Sequence, residues 1–411
     1  MRPSAISKDV VRIFLLLLLS IFVCSCARNS GYRQSPALSV ETLKNGVVLG
    51  HVEMDDQGDL ISRRQLDQVT SQIKAESKVP LLLLIYIHGW NHNASRNVIS
   101  GSSDLEDFRE VLVKLGEATD QKTMGIFVSW RGRSLSTFPV GVDFFHRRAA
   151  ALRAGGVAGV ATLHELGMTA RQAHRKNRVI MVGHSLGGAL LESAMGEAMA
   201  AQVAIAKARG EKLKRADFPA DLAISLNSAG SAIKARQLVT AYKERGVEEV
   251  EGGPLLVSLT SQKDVITGAF WPAGHFLGRY VPGFNWFNTS VAGQYRKDSE
   301  KDRVAGSQAD SHRSTVGHFE PLFSHQYRKV VSEDRDLSAI LRDNRNGRRA
   351  NGFVVKGEKE VFLFSRPDPP VYNETPYWIV PIPAEFIKNH WDQWSGNFMA
   401  LATSLMSLTK S

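Results

Sequence analysis

The chain has 411 residues, of which 43% are hydrophobic and 22% charged, and a net charge of +10. This is the composition of a globular protein with enough apolar residues for one large domain or two smaller ones. Net charge alone does not indicate nucleic-acid binding, and the sequence contains no nucleic-acid-binding module, so we expect no nucleic-acid partner.

Residues 1–25 have the pattern of a secretory signal. Basic residues precede IFLLLLLSIFV (13–23), an apolar run too short to span a membrane. The run leads into VCSC, where Ser25 before Cys26 resembles a bacterial lipobox, whose cysteine becomes the lipidated first residue. Arg28, in place of a retention-type aspartate, resembles lipoproteins sorted to the outer membrane. An ordinary signal peptide and an uncleaved anchor are the alternatives.

We therefore expect an exported protein of the bacterial envelope, lipid-anchored at the outer membrane and facing the periplasm, with a linker over residues 26–44. Cys24 and Cys26 are the only cysteines. If Cys26 is lipidated, the mature domain has no disulfide, and its stability comes from the core.

From about residue 45, strand-like apolar runs alternate with amphipathic helical segments. Strands are predicted over 46–54, 80–90, 124–130, 178–184, 221–228, 254–261 and 377–383, and helices over 61–77, 104–118, 143–175, 233–246, 397–408 and the segment after Ser185. Such repeated β–α units favour a mostly parallel sheet with helices on both faces. We assign residues 45–264 and 377–411 to this α/β domain. Residues 265–376 interrupt the alternation and are predicted to be an insertion before the last strand, either a lid or a small subdomain.

The segment Gly183-His184-Ser185-Leu186-Gly187 matches the pattern G-x-S-x-G between an apolar strand and a helix. A serine on such a sharp turn is lifted above the sheet, and small residues two positions before and after it let the strand and helix approach closely. The alternative is a glycine-rich turn with an inert serine. The strand–turn–helix context favours Ser185 as a nucleophile.

With these motifs the sequence resembles the α/β-hydrolase family, in particular bacterial serine esterase/lipase-like proteins that combine an HGW segment (88–90) with GHSLGG (183–188). The resemblance covers residues 80–265 and, in order and pattern, the C-terminus. It implies the α/β-hydrolase fold, a triad in the order serine, acid, histidine, and no cofactor.

The resemblance also implies an oxyanion hole formed by the backbone N–H groups of Trp90 and Leu186. Gly89 would allow the tight turn, and His88 is expected to be structural. A metal site built on His88 and His92 is the alternative, but a spacing of four aligns ligands only on a helix, and no Cys, His or acidic cluster supports zinc. We expect no metal.

The acid should follow a late strand, which Asp264 does directly after PLLVSLTS. A turn or helix-cap aspartate is the alternative. Five histidines come later in the chain: His275, His312, His318, His325 and His390. We favour His390 as the base because it lies between the last strand and the last helix. His318 is the alternative base, since TVGHFEP resembles the loop that carries the base in many hydrolases.

These residues predict hydrolysis of carboxylic esters through an acyl-enzyme intermediate. Lipid esters are candidate substrates because the anchor would hold the protein beside lipids. An aromatic run would supply an apolar wall or lid, unless it packs the insertion on the sheet (Trp271, Phe276, Phe284, Trp286 and Phe287). A serine peptidase or thioesterase uses the same triad. A non-enzymatic envelope lipoprotein that binds lipid or a partner protein is the alternative from another class. The sequence does not predict the oligomeric state.

Overall fold

The computed structural model describes residues 31–33, 35–95, 103–133, 140–245, 253–271, 306–330, 352–367 and 375–409. The strands are β1 Val40–Thr42, β2 Val48–Glu53, β3 Leu81–Ile87, β4 Lys122–Ser129, β5 Arg178–His184, β6 Leu222–Leu226, β7 Leu256–Ser261, β8 Gln326–Lys329, β9 Gly352–Lys356, β10 Val361–Ser365 and β11 Tyr377–Ile382. The helices are α1 Pro36–Ser39, α2 Arg63–Glu76, α3 Asp104–Ala118, α4 Val140–Ala154, α5 Val157–Ala173, α6 Leu186–Arg209, α7 Ala232–Arg245, α8 Gln308–Arg313 and α9 Gly396–Leu408.

Eight strands form one sheet in the order β1-β2-β4-β3-β5-β6-β7-β11. The short edge strand β1 pairs antiparallel with β2, and every other neighbouring pair in this sheet is parallel. Parallel strands need crossover connections, which the intervening helices provide. The predicted α/β fold, with a mostly parallel sheet, is confirmed.

Both faces of the sheet are covered by helices, which explains the unbroken apolar strand sequences. In β3, Leu81, Leu83 and Ile85 pack on the face covered by α2 and α4–α7. The alternating residues Leu82 and Leu84 pack on the opposite face, with α3 and α9. A strand buried on both faces reads as a continuous apolar run rather than an alternating one.

Between β7 and β11, the chain adds a second sheet of three antiparallel strands in the order β8-β10-β9. Its apolar side chains join the core on the face of α3 and α9. Just before β8, Ser324 donates its backbone N–H to the carbonyl of Ile379 in β11, at 2.9 Å. The small sheet is thus connected to the strand at the edge of the main sheet, which protects that edge from pairing with another chain.

Two sequence predictions need correction. Residues 36–42, placed in the linker 26–44, contain α1 and β1, and β1 is part of the main sheet. The segment 143–175, predicted to be helical, consists of two helices separated at Gly155 and Gly156. A Cβ on Gly155 would lie 2.4 Å from the carbonyl oxygen of Leu190, so the break occurs where the backbone meets α6.

Candidate active site

Ser185 lies on the turn between β5 and α6, with a φ of 55° and a ψ of −116°. A positive φ is rare outside glycine and marks a strained backbone. The turn is held in place because the backbone N–H of Ser185 donates to Leu226 in the neighbouring strand β6, at 2.9 Å. Ser185 is therefore presented at the carboxyl end of the sheet on a fixed backbone.

Two glycines make this turn possible. A Cβ on Gly183 would lie 2.5 Å from the carbonyl oxygen of Gly187, and a Cβ on Gly187 would lie 2.2 Å from the carbonyl oxygen of Ile87. Neither distance leaves room for a side chain, so helix α6 starts in direct contact with β5 and β3. The spacing of the G-x-S-x-G pattern thus has a steric cause in this chain.

The structure brings Ser185, His390 and Asp264 together. His390 Nε2 lies 2.8 Å from Ser185 Oγ, and His390 Nδ1 lies 2.9 Å from Asp264 Oδ1. All three residues are buried. Since an ionised carboxylate only accepts hydrogen bonds, the neutral imidazole carries its proton on Nδ1 and leaves Nε2 to accept from the serine hydroxyl.

Asp264 is prepared to remain ionised. Its burial alone would raise its pKa, but the hydrogen bond and charge of His390 and the hydrogen bonds from Thr267 outweigh that effect, so the pKa is lowered. Thr267 donates its hydroxyl to Oδ2 and its backbone N–H to Oδ1, and Ile266 donates its backbone N–H to Oδ1. These donors belong to the π-helical turn Ile266–Phe270 that follows β7.

The structure does not bring the alternative base, His318, to the serine. His318 Nδ1 lies 3.0 Å from Thr315 Oγ1. A Cβ on Gly268 would lie 2.8 Å from its Nε2, so the ring packs against the turn that follows Asp264. His312 and His325 are buried elsewhere, and His275 lies outside the described residues.

The two predicted oxyanion donors both lie next to Ser185. Leu186 is the first residue of α6, so its backbone N–H has no acceptor within the helix. A Cβ on Gly89 would lie 3.1 Å from Ser185 Cβ, so the turn that carries Trp90 is in contact with the serine. Within the described part of the chain, the backbone N–H of Trp90 has no acceptor, and its indole donates to Asp143 at 3.0 Å.

His88 is buried and hydrogen-bonded on both ring nitrogens. Its Nδ1 donates to the carbonyl of Gly89 at 2.9 Å, and its Nε2 accepts from the backbone N–H of Trp130 at 3.2 Å. Burial lowers the pKa of His88 to about 4, so the ring is neutral at physiological pH. It therefore connects the turn of Trp90 to the end of β4. The described residues include no group of three or more His, Cys, Asp or Glu that could hold a metal ion.

Sequence reasoning missed two residues that hold the loop of His390. His184 Nε2 donates to the backbone carbonyl of His390 at 2.7 Å, and Asn227 Nδ2 donates to the same carbonyl at 3.2 Å. Asn227 also has a positive φ, of 47°. The sequence signal that could have identified Asn227 is its position as a polar residue at the carboxyl end of β6, the strand next to the one that precedes Ser185.

Several predicted features lie outside the described residues. These are Cys26 with the whole segment 1–30, and four members of the aromatic run: Phe276, Phe284, Trp286 and Phe287. The fifth, Trp271, is buried. None of the helices that the structure describes combines the length and apolar content needed to cross a bilayer.

Comparisons with known proteins do not assign a family. No protein-family model matches the sequence, and no curated protein matches it. One solved structure, of a protein named FAE, aligns with 50% of this chain at 13% identity and a TM-score of 0.24. Phospholipase PlaB from Legionella pneumophila, in complex with thio-NAD, aligns with 62% at 16% identity and a TM-score of 0.22. The chain covers 65% of the first structure and 47% of the second. At these TM-scores neither likeness bears on function.

Proposed function

We propose that this protein is a serine hydrolase that cleaves carboxylic esters through an acyl-enzyme intermediate. Ser185 is the nucleophile and His390 the general base. Asp264 orients the imidazole and stabilises its protonated form. The observation that carries the proposal is the continuous hydrogen-bonded path from Ser185 Oγ through both ring nitrogens of His390 to Asp264 Oδ1. Each separation is within the range needed for proton transfer or orientation.

In the first half-reaction, Ser185 Oγ attacks the ester carbonyl carbon while His390 Nε2 takes the hydroxyl proton. The ionised Asp264 stabilises the resulting imidazolium. The tetrahedral intermediate then collapses, the bond to the leaving alcohol breaks, and His390 returns the proton to that alcohol. In the second half-reaction, water attacks the acyl-enzyme with His390 again as base, which releases the acid and regenerates the serine.

The backbone N–H groups of Leu186 and Trp90 are proposed to bind the oxyanion. Leu186 has the start of the α6 macrodipole behind its N–H, which favours negative charge. Trp90 is held by its indole bond to Asp143 and by the bond from the next residue, Asn91, to Gly132 at 3.0 Å. Both donors are thus positioned before substrate arrives, which is the condition for effective electrostatic catalysis.

We also propose lipid esters as the substrates and lipidation of Cys26 as the means of attachment to the outer membrane. An enzyme anchored in this way would meet esters of membrane lipids directly. Replacement of Cys26 by Ala should release the protein from the membrane fraction of the expressing cells. Retention of that variant in the membrane would contradict the anchor without affecting the proposed chemistry.

Labelling with a fluorophosphonate probe tests the proposed chemistry, because such probes react with activated serines. We expect the signal-free protein to be labelled, and the variants Ser185→Ala and His390→Ala to lose labelling. His318→Ala, the matched control for a histidine near Asp264, should keep it. Loss of labelling in His318→Ala alone would move the base to the insertion. A folded wild type that is not labelled would contradict the enzyme and favour a lipid- or protein-binding role.

A further inference from the structure

Arg148, which has no acidic partner among the residues that the structure describes, lies close to the backbone of the nucleophile. Arg148 of α4 donates its Nε–H to the carbonyl of Ala229 at 3.0 Å. Ala229 in turn donates its backbone N–H to the carbonyl of Ser185 at 3.1 Å. The guanidinium is therefore two hydrogen bonds away from the backbone of the nucleophile, on the α6–α7 side of the sheet.

The charge of Arg148 is not compensated by the residues that the structure describes. No carboxylate among them forms an ion pair with it, whereas the preceding residue, Arg147, pairs with Asp56 at 2.8 Å. Burial lowers the pKa of Arg148 to about 9. Lys234 is near enough that the charge of Arg148 helps to lower its pKa, after the larger effect of burial. A partly buried cation without a counter-charge is costly, and an arriving anion would offset that cost.

No described residue accepts a hydrogen bond from the terminal amino groups of this guanidinium. Its Cζ lies 3.6 Å from the centroid of the Trp271 ring, so the aromatic ring covers one face. Its Nε is used by Ala229. The remaining edge, formed by Nη1 and Nη2, can donate two parallel hydrogen bonds to the oxygens of a carboxylate or a phosphate. Trp271 and Ala229 thus hold the plane in which such an anion would bind.

A cavity of about 380 Å³ lies beside this group. Its lining includes Leu152, one turn after Arg148 on α4, and Gly230 and Ser231, which directly follow Ala229. The other walls include small and apolar side chains of α6 and α7 and three charged ones, Glu192, Glu197 and Lys234. Glu197 lies 3.8 Å from Lys234, and burial raises the pKa of Glu192. The volume is in the range of small-molecule sites. Arg148 itself is not among the lining residues, so the cavity lies beside the guanidinium and does not enclose it.

We propose that Arg148 binds a negatively charged group, a carboxylate or a phosphate, of the ester substrate, and so makes the enzyme selective for anionic esters. The inference rests on the proposed ester hydrolysis. It narrows the substrate class from esters in general to esters that carry an anionic group either on the acyl side or on the alcohol side.

Two pairs of substrates test the proposal. The acyl-side pair is para-nitrophenyl butyrate and the para-nitrophenyl monoester of succinate, which differs by a terminal carboxylate. The alcohol-side pair is a monoacylglycerol and the lysophosphatidate with the same acyl chain. In wild type, we expect kcat/KM to favour the charged member of at least one pair, and the pair concerned identifies the carboxylate or the phosphate.

Arg148→Gln should lower kcat/KM for the favoured charged ester by about 10- to 100-fold, since a hydrogen-bonded charge contributes about 1.5–3 kcal/mol. The uncharged ester should change by about twofold at most. Arg153→Gln, an exposed arginine of the same helix, is the matched control and should leave both rates unchanged. If Arg148→Gln does not fold, Arg148→Lys keeps the charge but loses the paired geometry, and should retain a reduced preference.

Fluorophosphonate labelling distinguishes failure of the proposed anion site from failure of the proposed hydrolase. A wild type that is labelled but prefers neither charged ester would overturn the role of Arg148 and leave the hydrolase proposal standing. The same conclusion follows if Arg148→Gln lowers the rates of charged and uncharged esters equally while it is still labelled. A wild type that is not labelled contradicts the proposed hydrolase itself.

Discussion

Asn227 offers the sharpest test of how the base is held. Its side-chain amide donates to the backbone carbonyls of Asn389 and His390, at 3.3 and 3.2 Å, and its Oδ1 accepts from the backbone N–H of Ser261 at 2.9 Å. Asn227→Gly removes these bonds without backbone strain, because glycine adopts the observed φ of 47° freely. We expect the loop of His390 to lose order relative to Ser185.

The magnitude follows from the bonds removed. Two hydrogen bonds to the loop, at about 1 kcal/mol each, correspond to about a 30-fold lower kcat if all of that energy serves to position the imidazole. KM should change little, since Asn227 lies on the protein side of His390. The assay is steady-state hydrolysis of an uncharged para-nitrophenyl ester, with the unfolding free energy measured in urea on the same samples.

Asn177 supplies a matched control at the opposite end of the sheet. It too is buried, accepts from the backbone N–H of Leu81 at 2.8 Å, and donates to the carbonyl of Ala170 at 2.7 Å. Asn177→Gly should lower the unfolding free energy but leave kcat within about twofold of wild type, because its bonds lie far from the transition state. Equal losses of kcat in the two variants would refute the positioning role and reduce Asn227 to a contribution to stability.

Three further predictions concern single side chains. Thr267→Val removes the hydroxyl that donates to Asp264, so kcat should fall about tenfold with KM unchanged in steady-state kinetics; an unchanged kcat would contradict a role for that bond. Gly187→Ala should abolish fluorophosphonate labelling and lower Tm, since the new methyl would lie 2.2 Å from a carbonyl oxygen of β3, whereas Gly196→Ala on the same helix, with its nearest neighbour at 3.8 Å, should do neither. Burial, followed by the charge of a nearby arginine, lowers the pKa of His325 to about 3. As the pH falls, the unfolded state therefore binds a proton on His325 at a higher pH than the folded state does. Through this group, wild type should lose about 3 kcal/mol of unfolding free energy between pH 7 and pH 4. His325→Leu should flatten the pH dependence by that amount in urea unfolding, and an identical slope would disprove the linkage.

The main sheet could be predicted because its strands carry a strong signal. Apolar runs such as β3 and β5 are buried on both faces, so hydrophobicity alone marks them, and β5 and α3 have the predicted boundaries. The failures occurred where that signal is weak. Strand β1 is three residues long and only partly buried, so it contributes too few apolar residues to be seen. The break between α4 and α5 depends on contact with α6, which no local pattern reports.

The same distinction applies to the site. Ser185, Asp264 and His390 each follow a strand of one parallel sheet, and the carboxyl ends of such strands meet at one edge. They could be proposed from these positions together with the order of serine, acid and histidine that the family resemblance implies. The roles of the groups that tune the site depend on contacts that the sequence does not show. Asn227 acts through a side-chain amide that reaches a loop 163 residues away in the chain. The proposed role of Arg148 depends on its having no carboxylate partner among the described residues. A missing counter-charge has no sequence pattern, since the chain contains many acidic residues and only folding decides which cations they reach. The proposed substrate selectivity could therefore be inferred only from the structure, and substitution of Arg148 tests it.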